Sequence, residues 1–404
     1  MKVIHLSTGG ANYGGAGKAA MRINNALRSI GCDSNVVILM GTDGIEIPKG
    51  FSRFISKIAN KILIKLLRPD RFLSLDILVN RKDIIKLISD ADIIHLHWLN
   101  NGIWSSGLLN SIKKVPIVWT MHDMWPFTGA CHYADKCRGY LQGCKDCVAL
   151  KSKWGKAFCE HSYQDKIRAL SDCNVQMVGC SNWITNEATK SSLAKSLKHS
   201  PICIPNPIND KIYRPISKDE AKSYLGINTT KKIICFGAMN STGDKRKGYI
   251  YLVEAVKKLD PSQFLLLIFG NGRTCPELSS FETVVQGYVT DETRMAHIYN
   301  AADVFVAPSL EENLANTVME SLSCGTPVVA FNIGGMPDMI EHQVNGYLAA
   351  PFEADDIAVG IKQAVTTIYT QRDEISQSTH EKFSNSKIGN AYLDVYHHLM
   401  LRKD

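Results

Sequence analysis

Two carboxylates, Glu312 and Glu320, stand eight positions apart in the stretch SLEENLANTVMESLSCGTPVVAF. The pattern predicts that Glu312 lies in a turn and that Glu320 lies on a helix from about Leu314 to Cys324, which Gly325 ends. Eight helical residues rise about 12 Å, so the two carboxylates could bind opposite ends of a ligand as long as a nucleotide-sugar. Between them, the first helical amides, at Asn316 and Thr317, are suited to a diphosphate.

Basic and imidazole side chains mark two further candidate ligand sites, one at the end of a predicted strand and one in a predicted turn. His122 follows the apolar strand predicted for Pro116–Met121, and the carboxyl ends of parallel strands are where open sheets bind ligands. Arg246 and Lys247 lie in a basic turn just before a predicted helix. Lysine and arginine in such a turn suit a diphosphate, although a solvated loop has the same composition.

A cysteine-rich loop follows His122. Cys131, Cys137, Cys144 and Cys147 fall within seventeen residues, and the spacing of the last two is typical of zinc ligands. A long loop needs something to hold it, so we predict a structural zinc on these four cysteines, with His132 as a substitute ligand. A redox pair and a reduced, packed loop are the alternatives.

A glycine-rich turn near the amino terminus is the last candidate. A buried strand at Val3–Leu6 leads into a loop over residues 9–17, and a helix is expected from about Lys18 to Ile30. Neither a P-loop nor a dinucleotide fingerprint fits the loop. Its glycines, Gly15 among them, would let the backbone approach a ligand closely, and a plain strand–helix turn is the alternative.

These residues are positioned by elements that indicate an α/β protein with two parallel sheets. The chain has 404 residues, enough for two domains with full cores. Apolar strands are predicted in both halves, and three prolines in residues 201–207 mark the boundary. We predict domains over residues 1–204 (with the cysteine-rich loop at 129–150) and 205–383, and a final helical segment at 384–404.

The stretch quoted above, with GGMPDMIEHQVNGYL after it, resembles the donor-site signature of the retaining glycosyltransferases of family 4. The resemblance covers nearly the whole chain and implies the GT-B fold, two doubly wound Rossmann-like domains facing each other across a cleft. It also implies that the final helix, at 384–404, returns to the N-terminal domain. It implies that Glu312 contacts the transferred sugar and that Glu320 binds the ribose hydroxyls. His122 matches the active-site histidine of that family, and Gly15 lies in the loop that faces the donor phosphates.

The same resemblance bears on the basic turn and on the cysteine-rich loop. Lys247 matches the family's phosphate-binding lysine. The expected arginine is missing from GAMNST (residues 237–242), so Arg246 is the candidate replacement. The loop after WTMHDMWPFTG is similar to a bacterial branch typified by colanic-acid and O-antigen transferases.

The resemblance therefore implies a retaining hexosyl transfer from a nucleoside-diphosphate sugar to a lipid-linked glycan during surface polysaccharide assembly. His122, Glu312 and Lys247 are the predicted catalytic residues. No metal cofactor is expected for catalysis, an expectation that assumes that no Asp-x-Asp metal-binding pair is present. The alternatives are an epimerase or a phosphorylase on the same fold, and an inactive nucleotide-sugar-binding protein.

Composition limits the partners. The net charge of +7 is modest, and no aromatic–basic pattern of the RNA-binding kind is present, so nucleic acid is not an expected partner. No signal peptide or membrane span is evident, which predicts a cytoplasmic protein. Residues 49–72 read as a basic amphipathic helix. This helix either packs on its domain or carries the enzyme to the inner face of the membrane.

Overall fold

The computed structural model describes residues 1–48, 51–67, 73–74, 81–237, 244–271, 276–366 and 371–401, and the side chains of 51–57 and 60 lie outside that description. The strands are β1 (Lys2–Gly9), β2 (Asp33–Met40), β3 (Ile45–Glu46), β4 (Ile93–Leu96), β5 (Ile117–Met121), β6 (Val175–Gly179), β7 (Ile202–Cys203), β8 (Lys232–Gly237), β9 (Phe264–Phe269), β10 (Glu282–Gly287), β11 (Val304–Ala307), β12 (Val328–Phe331) and β13 (Gly346–Ala349). The helices are α1 (Gly14–Ser29), α2 (Phe51–Leu67), α3 (Arg81–Ile88), α4 (Ser106–Ile112), α5 (Lys153–Ser171), α6 (Asn182–Lys190), α7 (Lys218–Leu225), α8 (Tyr249–Val256), α9 (Glu292–Ala301), α10 (Asn316–Ser323), α11 (Ala354–Thr366), α12 (Arg372–Phe383) and α13 (Asn385–Leu401).

The chain forms two compact units. Unit 1 comprises Met1–Pro207 and Asn385–Asp404, and unit 2 comprises Ile208–Ser384. Unit 1 contains a sheet in the order β3-β2-β1-β4-β5-β6-β7, and unit 2 contains one in the order β10-β9-β8-β11-β12-β13. All pairings between these strands are parallel. The prediction of two doubly wound α/β domains is confirmed.

In both sheets the strand order reverses beside the first strand. The reversal lies between β1 and β4 in unit 1 and between β8 and β11 in unit 2. At such a point the connections on either side leave in opposite directions and open a crevice at the carboxyl ends of the strands. The segments after β1, β4, β8 and β11 are therefore the ones that a ligand would meet.

The central strands are short apolar runs, because helices cover both faces of a parallel sheet. Phe264–Phe269, Val304–Ala307 and Val328–Phe331 are buried throughout, and each coincides with an apolar run of the sequence. The side chains of each sheet pack into hydrophobic cores within their own unit. One core of unit 1 includes Trp119, and one core of unit 2 includes Phe331.

The first helix begins earlier than predicted. α1 starts at Gly14 and not at Lys18, so the loop after β1 is only four residues long. Close packing of glycines permits this tight turn. A Cβ on Gly17 would lie 2.3 Å from the carbonyl oxygen of Gly10, and Gly14 has a φ of +80°.

The last helix belongs to unit 1, although it follows unit 2 in the chain. α13 packs against α1, and Ile388, Tyr392 and Tyr396 are buried in a core with residues of β1, β4 and β5. In the described part of the chain, none of the helices is both apolar and long enough to cross a membrane.

A buried lysine holds the start of the cysteine-rich loop. Lys166 on α5 donates to the carbonyl oxygens of Trp125 (2.6 Å) and Thr128 (2.9 Å), and its ammonium lies 3.3 Å from the centre of a Trp125 ring. Burial lowers the pKa of Lys166 to about 7.

Candidate functional site

The strongest site in unit 2 is an ion pair at the reversal point of the sheet. Lys247 Nζ donates to Glu312 Oε2 at 2.6 Å. Glu312 lies in the segment after β11, and Lys247 ends a short 3-10 turn, Lys245–Lys247, in the connection between β8 and α8. The backbone also joins these segments, because Leu310 N donates to Arg246 O at 2.7 Å. The sequence predicted both residues, and the fold brings them together from 65 positions apart.

Glu312 is fixed from several sides. Its side chain is largely buried, and Ser309 and the amide of Asn313 approach its two carboxylate oxygens. Its carbonyl oxygen accepts from Gly335 N at 3.2 Å, and a Cβ on Gly334 would lie only 2.0 Å from that oxygen. Glycine at 334 therefore lets the segment after β12 close over the Glu312 backbone.

Glu320 lies within α10 and is 2% exposed. Tyr299 on α9 donates to its Oε2 at 3.0 Å. Burial, followed by the Glu320 charge, raises the pKa of the Tyr299 hydroxyl well above its usual value, so this hydroxyl stays a donor. The tyrosine holds one oxygen of Glu320.

The helix between the carboxylates is shorter than predicted. α10 begins at Asn316, so Asn316 and Thr317 do form its first turn, but Glu312 lies outside the helix. The predicted 12 Å rise from Glu312 to Glu320 is wrong, because only the residues from 316 onward rise helically, by about 6 Å. The first-turn amides of α10 lie between the two carboxylates in the chain.

Arg246 is already engaged within its turn. Its Nη2 donates to Asp244 Oδ2 at 2.7 Å, and its Nε donates to Asp244 Oδ1 at 3.1 Å. A diphosphate would have to compete with this bidentate carboxylate, which makes Lys247 the better placed cation. Residues 238–243, where the expected arginine is missing, lie outside the described residues.

Unit 1 holds the other two predicted residues, His122 and Gly15. His122 directly follows β5 and is half-buried, and burial lowers its pKa to about 4, against a smaller opposing effect of Asp123. Gly15 is exposed in the first turn of α1 and not in the preceding loop as predicted. His122 thus lies at the carboxyl end of β5, whereas Gly15 lies six residues after the end of β1. The roles of both residues stay predictions.

The structure also shows a buried histidine cluster that sequence reasoning missed. His5, His95 and His97 have ring nitrogens within 4.8 Å of one another, and they form the one such group of three or more metal-ligating side chains in the described part of the chain. His97 also contacts His122, Nδ1 to Nε2, at 3.0 Å. The alternation of His95 and His97 was visible in the sequence, but their pairing with His5, some 90 residues away, was not.

His132 is hydrogen-bonded to residues other than the cysteines. Its Nδ1 lies 2.6 Å from Asp123 Oδ2, and its Nε2 lies 2.7 Å from Ser74 Oγ. Although burial opposes it, the facing His132 holds the pKa of Asp123 below its usual value. Both ring nitrogens have other partners, so His132 would have to give up one of these hydrogen bonds to bind a metal, and its role as a substitute ligand stays a prediction.

The four predicted cysteines do not form one cluster of ligands. No three of their sulfur atoms lie within 4.8 Å of one another. Cys159 on α5, which the prediction omitted, hydrogen-bonds Cys144 and Cys147 and packs in one cluster with them and with Cys131. Cys137 instead accepts from Gly139 N and packs against another core. Among the described residues, Cys159 does not complete a group of three clustered ligands with these cysteines either. Zinc binding by the predicted four therefore stays a prediction, and Cys159 is a further candidate ligand.

An Asp-x-Asp pair does occur, at Asp90 and Asp92, directly before β4. Lys2 binds both, with its ammonium on Asp90 and its backbone amide 2.7 Å from Asp92 Oδ2. This is the amino edge of the sheet, opposite to the edge that carries His122.

Comparison with known proteins agrees with this geometry. Residues 230–367 match the family described as "Glycosyl transferases group 1", and this range lies within unit 2 and includes Lys247, Glu312 and Glu320. An uncharacterized glycosyltransferase of Methanocaldococcus jannaschii is 29% identical over 51% of this chain. A D-inositol 3-phosphate glycosyltransferase of Thermobispora bispora is 25% identical over 64% of it. The chain spans 58% of the length of each of these two relatives.

Solved structures match over the whole chain. The chain resembles sucrose-phosphate synthase from Thermosynechococcus elongatus (TM-score 0.67, 17% identity, 99% of this chain and 100% of that one). It also resembles Anabaena HepE in complex with UDP and glucose (0.66, 15%, 98% and 99%). A third match is WaaG, a glycosyltransferase involved in lipopolysaccharide biosynthesis (0.62, 15%, 98% and 99%). The fold is GT-B, and the comparisons together support a GT-B glycosyltransferase.

Proposed function

We propose that this protein is a retaining glycosyltransferase that moves a hexosyl residue from a nucleoside-diphosphate sugar to a lipid-linked glycan in bacterial surface polysaccharide assembly. The observation that carries the proposal is the Lys247–Glu312 pair at the reversal point of the unit 2 sheet, next to the first turn of α10. The family match over this same unit supports the donor role.

The donor fits this site by charge. A diphosphate carries negative charge that a lysine and the amino end of a helix stabilise. Lys247 supplies the ammonium, and the amides of Asn316 and Thr317 supply the helix end. Glu320, held by Tyr299 through one oxygen, would accept hydrogen bonds from the ribose hydroxyls. HepE, which shares the fold, is known in complex with UDP and glucose.

The chemistry is mainly electrostatic. As the bond between the anomeric carbon and the diphosphate oxygen breaks, negative charge grows on the leaving group. Lys247 and the helix amides stabilise that charge where it appears. Glu312, whose carboxylate pairs with Lys247, would accept hydrogen bonds from the sugar. The acceptor hydroxyl attacks on the same face, and its proton passes to the leaving phosphate oxygen, so no separate base is needed.

The acceptor proposal rests on α2. Ile58, Ile62 and Leu66 form an exposed row at a spacing of four residues, with exposed fractions of 43%, 54% and 69%. Lys61 and Lys65 beside them are also exposed. An apolar row flanked by cations suits the surface of an anionic bilayer, where a lipid-linked acceptor would be found.

Two measurements on the purified full-length protein test the function. A thermal-shift panel of UDP-, GDP- and other nucleotide sugars should show one stabilising donor class. With that donor and a lipid-linked acceptor, the product should keep the anomeric configuration of the donor, as shown by NMR. An inverted product would exclude the retaining mechanism, and epimerised donor without transfer would identify an epimerase. A Glu312→Gln variant is the matched inactive control.

A further inference from the structure

A chain of hydrogen-bonded imidazoles leads away from His122 into the core of unit 1. His122 Nε2 lies 3.0 Å from His97 Nδ1, and His97 Nε2 lies 2.8 Å from His5 Nδ1. His5 Nε2 lies 3.0 Å from Ser34 Oγ, and Ser34 Oγ donates to Asn24 Oδ1 at 2.8 Å. The three histidines lie on β1 (His5) and directly after β4 (His97) and β5 (His122). Ser34 lies on β2, and Asn24 lies on α1.

The rings in this chain are neutral at pH 7. Burial lowers the pKa of His5 to about 3 and that of His122 to about 4, and the pKa of His97 is also well below its usual value. A neutral imidazole has one N–H and one lone pair, so every ring must donate at one nitrogen and accept at the other. All hydrogen bonds between these imidazoles therefore point the same way from donor to acceptor. The residues at the end farthest from His122 determine which way.

Ser34 and Asn24 decide the direction. The hydroxyl hydrogen of Ser34 points to Asn24 Oδ1, so the Ser34 oxygen accepts a hydrogen bond from His5 Nε2. His5 Nδ1 then accepts from His97 Nε2, and His97 Nδ1 accepts from His122 Nε2. We infer that Ser34 and Asn24, through His5 and His97, hold His122 in the Nε2–H tautomer with its lone pair on Nδ1. Ser34, His5 and His97 are thus positioning residues for His122.

A metal site is the competing interpretation of this cluster. It would need ring lone pairs that converge on one point, but the ring nitrogens already have partners along the chain. His95, the third member of the group, has Nδ1 at 2.7 Å from the Tyr396 hydroxyl and Nε2 at 2.7 Å from Thr120 Oγ1. A metal ion would have to break these hydrogen bonds, whereas a hydrogen-bonded row of neutral imidazoles keeps them.

The tautomer determines what His122 can recognise, and this step rests on the proposed function. A lone pair on Nδ1 accepts a hydrogen bond, so the ligand group that meets it must be a donor. Sugar hydroxyls are donors, whereas phosphate oxygens at pH 7 are acceptors. His122 would therefore contact a sugar hydroxyl and not a phosphate oxygen.

The direct test is the tautomer itself. Long-range ¹H–¹⁵N NMR of the full-length protein, labelled at histidine and measured without ligand at pH 7, should show His122 with a protonated Nε2 and an unprotonated Nδ1. A protonated Nδ1 at His122 would overturn the inference. Since no substrate is needed, this result stands or falls apart from the proposed glycosyl transfer.

A variant pair tests the role of the far end. Ser34→Ala removes the acceptor for His5 and should give a mixture of His122 tautomers, while Ser34→Thr keeps the hydroxyl and should keep the single tautomer. In the transfer assay, Ser34→Ala should lower kcat by at least roughly tenfold with the donor KM unchanged, and Ser34→Thr should restore it. A Ser34→Ala protein with the wild-type tautomer would contradict the relay. If this variant does not fold, the wild-type spectrum decides alone.

Discussion

At the scale of single residues, Lys247 and Glu312 each have their charge balanced in the resting protein. Their side chains are 31% and 11% exposed, so the pair is neither a solvated surface bridge nor a fully buried one. A diphosphate would compete with Glu312 for the same ammonium. Removing the Glu312 charge should therefore leave Lys247 more available to a nucleoside diphosphate, not less.

The two glutamates should consequently separate in binding and turnover. Glu320→Gln removes the charge that would bind the ribose hydroxyls and should weaken UDP binding by about tenfold or more, since hydrogen bonds to charged groups contribute about 1.5–3 kcal/mol. Glu312→Gln should keep or strengthen UDP binding while it lowers turnover. Calorimetry with free UDP, or with the nucleoside diphosphate that the donor panel selects, measures both. Glu311→Gln is the neighbouring control, and an equal loss of affinity at 312 and 320 would refute the assignment.

The cysteine cluster gives a second test with paired variants. The hydrogen bond from Cys159, and then that from Gly129 N, lower the pKa of Cys144 against its burial, and the thiolate is the form that binds metal. We predict about one zinc per chain in protein purified without chelator, measured by elemental analysis. Cys159→Ser should lose it, whereas Cys137→Ser should retain it. Metal-free wild-type protein that is folded and active would refute the prediction, and loss at Cys137 alone would favour the original quartet.

At the scale of elements, the sequence was most informative where hydrophobic runs are short and bounded. β9, β11 and β12 have the bounds that their apolar residues indicate. The starts of α1 and α10 were misjudged by a few residues, because glycine-rich and polar turns fit a loop and a first helical turn equally well. The histidine chain could not be predicted at all, since its members are brought together only by strand order and register.

The basic helix α2 shows features of both predicted alternatives. Leu63 and Leu67 are 5% and 3% exposed and pack on the cluster that contains the cysteines. Ile62 and Leu66, one position before each of them, are exposed. A helix that only packed on its domain would present mostly cations to solvent, so the exposed row favours an additional contact with a surface.

We therefore predict that α2 binds anionic membranes. Each lysine near such a surface adds about 1 kcal/mol, so replacing Lys57, Lys61 and Lys65 by Glu should abolish sedimentation with anionic liposomes. The folding midpoint should stay nearly unchanged. The same charge reversal at the exposed Lys113, Lys114 and Lys195 of unit 1 is the control and should sediment like wild type. If both triple variants sediment like wild type, α2 has no membrane role.

At the scale of the whole molecule, both units use the same sheet topology but differ in what lies within it. Unit 2 has charged residues at the reversal point of its sheet. Unit 1 instead has buried, neutral imidazoles next to the reversal point of its sheet. The free energy of unfolding of a protein is only about 5–15 kcal/mol. Groups whose pKa differs between the folded and unfolded states can therefore change the stability of each unit noticeably. The histidines should make unit 1 sensitive to acid.

The sign follows from the lowered pKa values. In the unfolded chain a histidine takes up a proton near its ordinary pKa of 6.5, but His5 in the folded protein does so only near 3 and His122 only near 4. Above pH 6.5 both states are neutral and stability is constant. As the pH falls below 6.5, the unfolded state binds more protons, and each such histidine costs about 1.4 kcal/mol per pH unit until its folded pKa is reached. At pH 5 this amounts to about 2 kcal/mol for each buried histidine.

Tryptophan fluorescence can follow this loss in unit 1 alone, because all six tryptophans lie there, at positions 98, 104, 119, 125, 154 and 183. Urea unfolding of the full-length protein, followed by this fluorescence, should show a midpoint that is constant from pH 7.5 to 6.5 and falls steeply towards pH 5. His95→Gln, which keeps a hydrogen-bonding side chain without the titration, should make the decline less steep. His161→Gln, at an exposed position on α5, should leave it unchanged. A midpoint that does not change down to pH 5 would mean that these histidines are not neutral in the folded protein, and the tautomer chain to His122 would lose its basis.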